Sequence, residues 1–171
     1  VYGIEGEVPG CLANGIPEKT AETIFDEMTD FAKYAFNKSH AACYAVVAYQ
    51  TAWLKAYYPV EFMAALMTSV MDNTAKVTGY INDCRRMGIE ILPPDINESF
   101  VQFSVSDGKI RFSLAAIKSV GRPFIKAIEK EREKNGKFKG LTDFCERMSG
   151  KDNNRRMVEN LIYAGAFDSF G

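Results

Sequence analysis

The sequence predicts a mainly α chain: a helical first half, a short β-hairpin, and then two helix-hairpin-helix units in tandem. Three observations carry that expectation. Apolar residues recur at helical spacing across residues 17–88. Asp107-Gly108 stands between two alternating stretches, a strong two-residue hairpin signal. Small-residue turns at 119–121 and 164–166 each follow an apolar helical pattern and lie near arginine or lysine.

The elements follow in order. "PEKTAETIFDEMTDFAKYAF" opens a helix with Pro17 in its first turn and Glu18 near the positive end of the dipole. Its Ala21, Ile24, Phe25, Met28, Phe31 and Ala32 form one apolar face. "AACYAVVAYQTAWLKAYY" is apolar almost without interruption up to Pro59, the pattern of a helix buried on most sides. A third helix restarts at Pro59. A fourth runs from a cap at Asp72 or Asn73 to a stop at Gly88. These four helices are expected to form one compact unit over 17–88.

At residue 89 the texture changes. "IEILPPDIN" is a short extended run ended by Pro93-Pro94, and "FVQFSVSDGKIRFSL" alternates around its Asp-Gly turn. The sequence thus divides into 1–88, an extended linker with a β-hairpin at 89–113, and 114–171.

Composition bounds the function. The 171 residues are 47% hydrophobic and 25% charged, the profile of an ordinary globular chain. No apolar run approaches the ~18 residues of a membrane span, so no membrane partner is expected. The start lacks an initiator Met and a secretion signal, which suggests a piece of a longer chain. Cys11, Cys43, Cys84 and Cys145 are far apart and the chain has one His, so a structural metal is not expected. Thiols in a reducing cytoplasm are the simpler reading.

The overall charge of −1 hides an asymmetry. Residues 1–108 carry 7 Lys+Arg against 14 Asp+Glu, and residues 109–171 carry 14 against 8. A basic third on an acidic remainder points to a polyanion.

"AAIKSVGRPFIKAI" gives that polyanion a place. A short helix ends at Ile117 and Lys118, Ser119, Val120 and Gly121 make a tight turn, and a second helix starts at Pro123. Such a turn gathers unpaired backbone N–H groups at the new helix's positive end, a site for one phosphate read without regard to base. Gly121 lets the backbone approach closely, while Lys118, Arg122 and Lys126 add counter-charge. The usual pattern at the turn is Gly-apolar-Gly, and Ser119 replaces its first glycine. The alternative is an ordinary helical corner with Val120 packed in the core; the positive charge favours the phosphate site. "NLIYAGAFDSFG" repeats the motif with Ala164, Gly165 and Ala166 as the second hairpin and Arg155 and Arg156 on the helix before it. The chain reaches Gly171 where the pairing helix should begin. Between the two lies "KNGKFKG", a basic loop or a solvated connector.

One junction stands out in the acidic part. Asn37, Lys38, Ser39 and His40 crowd together before the helix expected over 40–57. By spacing alone, Asn37 or Ser39 caps that helix and His40 is an ordinary satisfied group. Tyr34, Tyr44, Tyr49 and Trp53, at helical spacing in an apolar pattern, are expected in the core rather than stacked on bases. Arg85 and Arg86 suit a helix C-terminus, with a DNA contact as the alternative.

The strings "FAKYAFNKSHAACYAVVAYQTAWLKAYYPVEFMAALMTSVMDN", "CRRMGIEILPPDIN", "AAIKSVG" and "LIYAGAFDSFG" resemble, in this order, the C-family of bacterial replicative polymerases, the DNA polymerase III alpha subunits. The resemblance covers nearly the whole chain. It implies that 1–88 is the end of a helical fingers-type subdomain and that 114–171 is a tandem helix-hairpin-helix DNA-binding domain with its second unit truncated. It implies DNA-directed DNA synthesis in the bacterial cytoplasm. The expected partners are duplex primer-template DNA, dNTP, the rest of the polymerase chain, the sliding clamp and other replisome subunits. Mg²⁺ would be held by palm aspartates, and none of Asp26, Asp30, Asp72 or Asp83 stands in the family's palm motif. The segment alone is therefore expected to be inactive, with no cofactor of its own. The resemblance also turns the junction toward a ligand: Lys38 and His40 become contacts for the dNTP triphosphate, Ser39 a donor, and Asn37 both cap and contact.

Two other readings stand beside this one. A free-standing, non-specific DNA-binding module would need only the basic third, and leaves the apolar helices of 17–88 without a purpose. A purely structural helical domain leaves the basic hairpins unexplained.

Overall fold

The computed structural model describes residues 1–4, 6–33, 37–150 and 155–171. The chain divides into two compact units, Val1–Thr51 and Ala52–Gly171.

The first unit opens with a feature that the helical pattern did not announce. Strands β1 (Gly3–Ile4) and β2 (Val8–Pro9) pair antiparallel, Gly3 opposite Pro9 and Ile4 opposite Val8. Gly10 is buried there, and a Cβ on it would fall 2.3 Å from the Tyr2 carbonyl carbon, so only glycine fits. The Tyr2 hydroxyl donates to Glu18 Oε1 at 2.7 Å, a bond that raises the phenol's pKa, and so joins the hairpin to helix α1 (Glu18–Lys33). The Pro17 carbonyl accepts the N–H groups of Thr20 and Ala21, starting α1 where its proline predicts.

Helix α2 spans Lys38–Tyr57, two residues longer at its start than expected, because Asn37 supplies the cap. Its burial corrects a second expectation: none of its residues is buried. Tyr44, Tyr49 and Trp53, expected in the core, are exposed, Tyr49 by 70%. On α1, Ala21 is buried while Ile24, Phe25, Met28 and Phe31 are exposed. An apolar pattern records a tendency to be covered, and covering needs a facing surface that the described residues do not provide. The division between the two units falls inside α2. Tyr34 lies outside the described residues.

The second unit holds two apolar cores. Helices α3 (Pro59–Ser69) and α4 (Thr74–Arg86) pack on a three-stranded sheet made of β3 (Ile91–Leu92), β4 (Ser104–Ser106) and β5 (Lys109–Arg111). The strand order is β3-β5-β4, with β3 parallel and β4 antiparallel to β5. Asp107 (φ 50°) and Gly108 (φ 72°) make the turn between β4 and β5, as Asp-Gly predicts. Asn73 caps α4 by accepting the Lys76 N–H at 3.0 Å, and Gly88, with φ 72°, follows its last turn. Met63, Met67, Cys84, Phe103 and Ile110 fill this first core. Burial raises the Cys84 thiol pKa, which keeps it protonated and inert.

The second core lies under the C-terminal elements. The short helix before the first hairpin is a single 3₁₀ turn, Leu114–Ala116; Ser113 caps it by accepting the Ala115 N–H at 3.0 Å. Helix α5 (Arg122–Asn135), α6 (Leu141–Arg147), α7 (Arg155–Tyr163) and a final 3₁₀ turn, Asp168–Phe170, complete the chain. Phe124, Ile125, Ile128, Phe144, Met148 and Leu161 are at most 1% exposed, each contributing about 1.5–3 kcal/mol of burial. Phe112 and Ala115 touch both cores and join them.

Polar clasps fix the loops on this core. The Asn97 side chain accepts the Phe138 N–H at 2.8 Å and donates to its carbonyl at 2.9 Å. Arg147 donates to the carbonyls of Gly136 (2.9 Å) and Lys137 (3.2 Å), with its guanidinium 4.3 Å over the Phe138 ring. Glu131 Oε1 accepts Arg147 Nε at 3.0 Å, both groups being largely buried.

Candidate nucleic-acid interface

The sequence-predicted residues fall into three groups. In the first unit, Asn37, Lys38, Ser39 and His40 share the start of α2. Asn37 Oδ1 accepts the Ser39 N–H at 3.0 Å and the Ser39 hydroxyl at 2.6 Å, and its carbonyl accepts the Ala41 N–H at 3.0 Å. Asn37 is thus the cap, and Ser39 spends its donors on it. The His40 ring packs edge-on to Tyr44, with centroids 4.6 Å apart. Lys38 is exposed in the first turn of α2.

The second group is the first hairpin. Lys118 and Ser119 are exposed, while Val120 is 6% exposed and belongs to the core. One apolar residue therefore pins a turn whose polar neighbours face out. Ser119 has φ 64°, the left-handed conformation that the replaced glycine would adopt without strain. Gly121 does not share it: its φ is −75°, and it serves as the N-cap residue of α5. A Cβ there would meet Met157 Cε and Pro123 Cδ at 3.7 Å, an ordinary contact. Glycine at 121 thus keeps the helix start bare without being required by the backbone. Arg122 Nη2 reaches Asp72 Oδ2 at 3.3 Å, an exposed pair, and Lys126 stands exposed one turn further along. One contact has no local sequence signal: Asn160 Nδ2 on α7 donates to the Lys118 carbonyl at 2.9 Å. The two residues are 42 positions apart, beyond any spacing rule.

The third group is the second hairpin. Arg155 pairs with Glu159 at 2.7 Å, and Arg156 is exposed. Gly165 has φ 79°, and the Ala166 N–H returns to the Leu161 carbonyl at 3.0 Å, a glycine-dependent helix ending. Ala164 is half-buried. Ala166 is buried, and its carbonyl accepts the Ile96 N–H at 2.8 Å. A Cβ on Gly165 would lie 2.7 Å from Asp168 Oδ2. The second turn therefore carries a carboxylate of its own, Asp168, whereas the one beside the first, Asp72, comes from outside the turn and is paired with Arg122.

The two arginines of α4 are engaged locally. On α4, Arg86 pairs with Asp83, and Arg85 reaches Asn82 at 3.4 Å. Among the described residues no group of three or more His, Cys, Asp or Glu side chains could hold a metal ion. No helix among the described residues is long and apolar enough to cross a membrane.

A helix-hairpin-helix family model matches residues 88–171. Across nearly the whole chain, 161 residues (94% of it) are 53% identical to the DNA polymerase III subunit alpha of Neisseria meningitidis serogroup A. The corresponding protein of Escherichia coli K12 is 53% identical over 163 residues (95% of this chain), and that of Deinococcus radiodurans 50% over 164 (96%). The chain spans only 12–14% of the length of these relatives. Identity of this extent along nearly the whole chain, with the hairpin motif at its C-terminal end, shows that the chain belongs to the DNA polymerase III alpha-subunit family, as one segment of such a subunit.

Proposed function

We propose that this segment works within a DNA-directed DNA polymerase, gripping primer-template duplex by its backbone and helping to hold the triphosphate of the incoming dNTP. The observation that carries the DNA half is the first hairpin. Its buried Val120 fixes a turn whose exposed side chains, Lys118, Ser119 and Arg122, are cationic or hydrogen-bonding, directly before the positive end of α5. Such a site recognises phosphate and ignores base identity.

The nucleotide half rests on the start of α2. Lys38 offers a point charge at the positive end of α2, and Ser39 can exchange its bond to Asn37 for one to phosphate. His40 stands on the same turn. Two-metal chemistry falls to other parts of the polymerase chain, so this segment alone would not extend a primer. The rest of that chain, the sliding clamp and other replisome subunits are its partners in this reading, in the bacterial cytoplasm.

Two variants of the full-length polymerase test the two halves. Lys118→Gln is expected to weaken duplex binding equally for unrelated sequences and to lower its salt slope by ~0.9. Lys38→Ala is expected to raise KM for dNTP, lower kcat, or both, with DNA affinity little changed. Unaltered duplex binding in the first, or an unaltered dNTP response in the second, removes that half of the reading.

A further inference from the structure

In sequence, "RPFIKAIEKEREKN" is a mixture of both charges. In the fold the charges sort by face. Glu129 Oε1 accepts the Val101 N–H at 2.8 Å, and Glu131 is buried under Arg147 and Asn135. Arg132 turns the same way: it donates to the carbonyls of Ile96 (2.7 Å) and Ser99 (2.8 Å) and lies 5.0 Å over the Phe100 ring. Outward remain Arg122, Lys126, Lys130 and Lys134, with Glu133 the one exposed carboxylate on α5. These four cations are spaced at i, i+4, i+8 and i+12. At 1.5 Å per residue they mark a line about 18 Å long that starts at the hairpin turn. Like charges four apart on a helix cost about 0.2–0.5 kcal/mol per pair. Intrinsic helix stability therefore does not account for the spacing, whereas a bound polyanion does.

We infer that the outer face of α5 is a phosphate track, on which the strand gripped at the first hairpin continues along Lys126, Lys130 and Lys134. The inference rests on the hairpin reading above and extends it from one phosphate to several, since one strand of duplex DNA carries a charge every ~3.4 Å of axis and an 18 Å line spans several of them. Contacts of this kind are indifferent to sequence. They add to the salt dependence of binding in proportion to the lysines engaged.

The test uses the full-length polymerase chain and a fluorescently labelled mixed-sequence duplex, titrated from 50 to 200 mM salt. The triple variant Lys126→Gln, Lys130→Gln, Lys134→Gln is expected to lower the slope of log K against log[salt] by about 2.7, at ~0.9 per lysine. Its affinity deficit should then shrink by roughly 40-fold across that salt range. If the triple variant keeps the parental slope while Lys118→Gln lowers it, the track is overturned and the hairpin stands. If neither changes the slope, both are overturned. Glu133→Lys guards against a merely misfolded triple variant: it is expected to steepen the slope by ~0.9, and an unchanged slope overturns the track.

Discussion

The Asn160 side-chain amide on α7 donates to the Lys118 carbonyl at 2.9 Å, so the last long helix of the chain holds the first hairpin's turn. Asn160→Ala is expected to cost about 0.5–1.5 kcal/mol, the net worth of one such bond. Duplex affinity should fall with it, because the turn must be ordered again on binding. Chemical denaturation and DNA titration of the same variant check both effects.

The two hairpins should respond differently to a methyl group. Gly165→Ala puts a Cβ on a residue with φ 79°, at a cost of roughly 1–2 kcal/mol. Gly121→Ala puts one into ordinary contact at φ −75° and should cost less, about 0.5–1 kcal/mol, because alanine is the poorer N-cap for α5. Ser119→Gly, at φ 64°, is expected to raise stability slightly, since it restores the residue that the conformation favours. Thermal melts of the three variants give the order.

Asp72 competes with phosphate for Arg122, its partner at 3.3 Å. Both side chains are more than half exposed, so Asp72→Asn should change stability by at most ~1 kcal/mol. Duplex affinity should rise, because Arg122 no longer has to leave a carboxylate to meet a phosphate. A salt titration distinguishes this from a general gain: the advantage should shrink as salt is added.

Asp143 gives the fold an acid limit. Its carboxylate accepts the Lys139 N–H at 2.9 Å and Arg147 Nη1 at 3.2 Å, and these partners hold its pKa below the ordinary aspartate value. With the folded pKa depressed, its contribution is present above the unfolded pKa and is lost as pH falls through the folded one. Denaturation midpoints of the parent should drop over that acidic window. Asp143→Asn should remove that part of the drop and lower stability near neutral pH.

Local chemistry made much of this legible in the sequence. Asp107-Gly108 specified its turn because only residues tolerant of positive φ fit there, and Asn73 and Gly88 bounded α4 for equally local reasons. The hairpin turn at 119–121 was readable from a Gly-apolar-Gly-like pattern, with Ser119 in the first glycine's place. The exposure of Tyr44, Tyr49 and Trp53 was not, because hydropathy reports what a side chain favours and not whether a surface faces it. The bond from Asn160 to Lys118 and the inward turn of Glu129, Glu131 and Arg132 were hidden for another reason. Each depends on residues 16 to 42 positions away that only the fold brings near.

The clasps on Phe138 bear on how the chain meets a protease. A stretch spelled KNGKFKG presents trypsin with lysines at 134, 137 and 139, and by composition it would be an early cleavage point. Asn97 binds both backbone groups of Phe138, however, and Arg147 binds the carbonyls of Gly136 and Lys137. A peptide must leave such partners to lie extended in a protease cleft, so cutting here waits on local unfolding. Brief digestion should spare 134–139, and Arg147→Ala should open it. A segment that reads as slack in the sequence would then be among the last to yield.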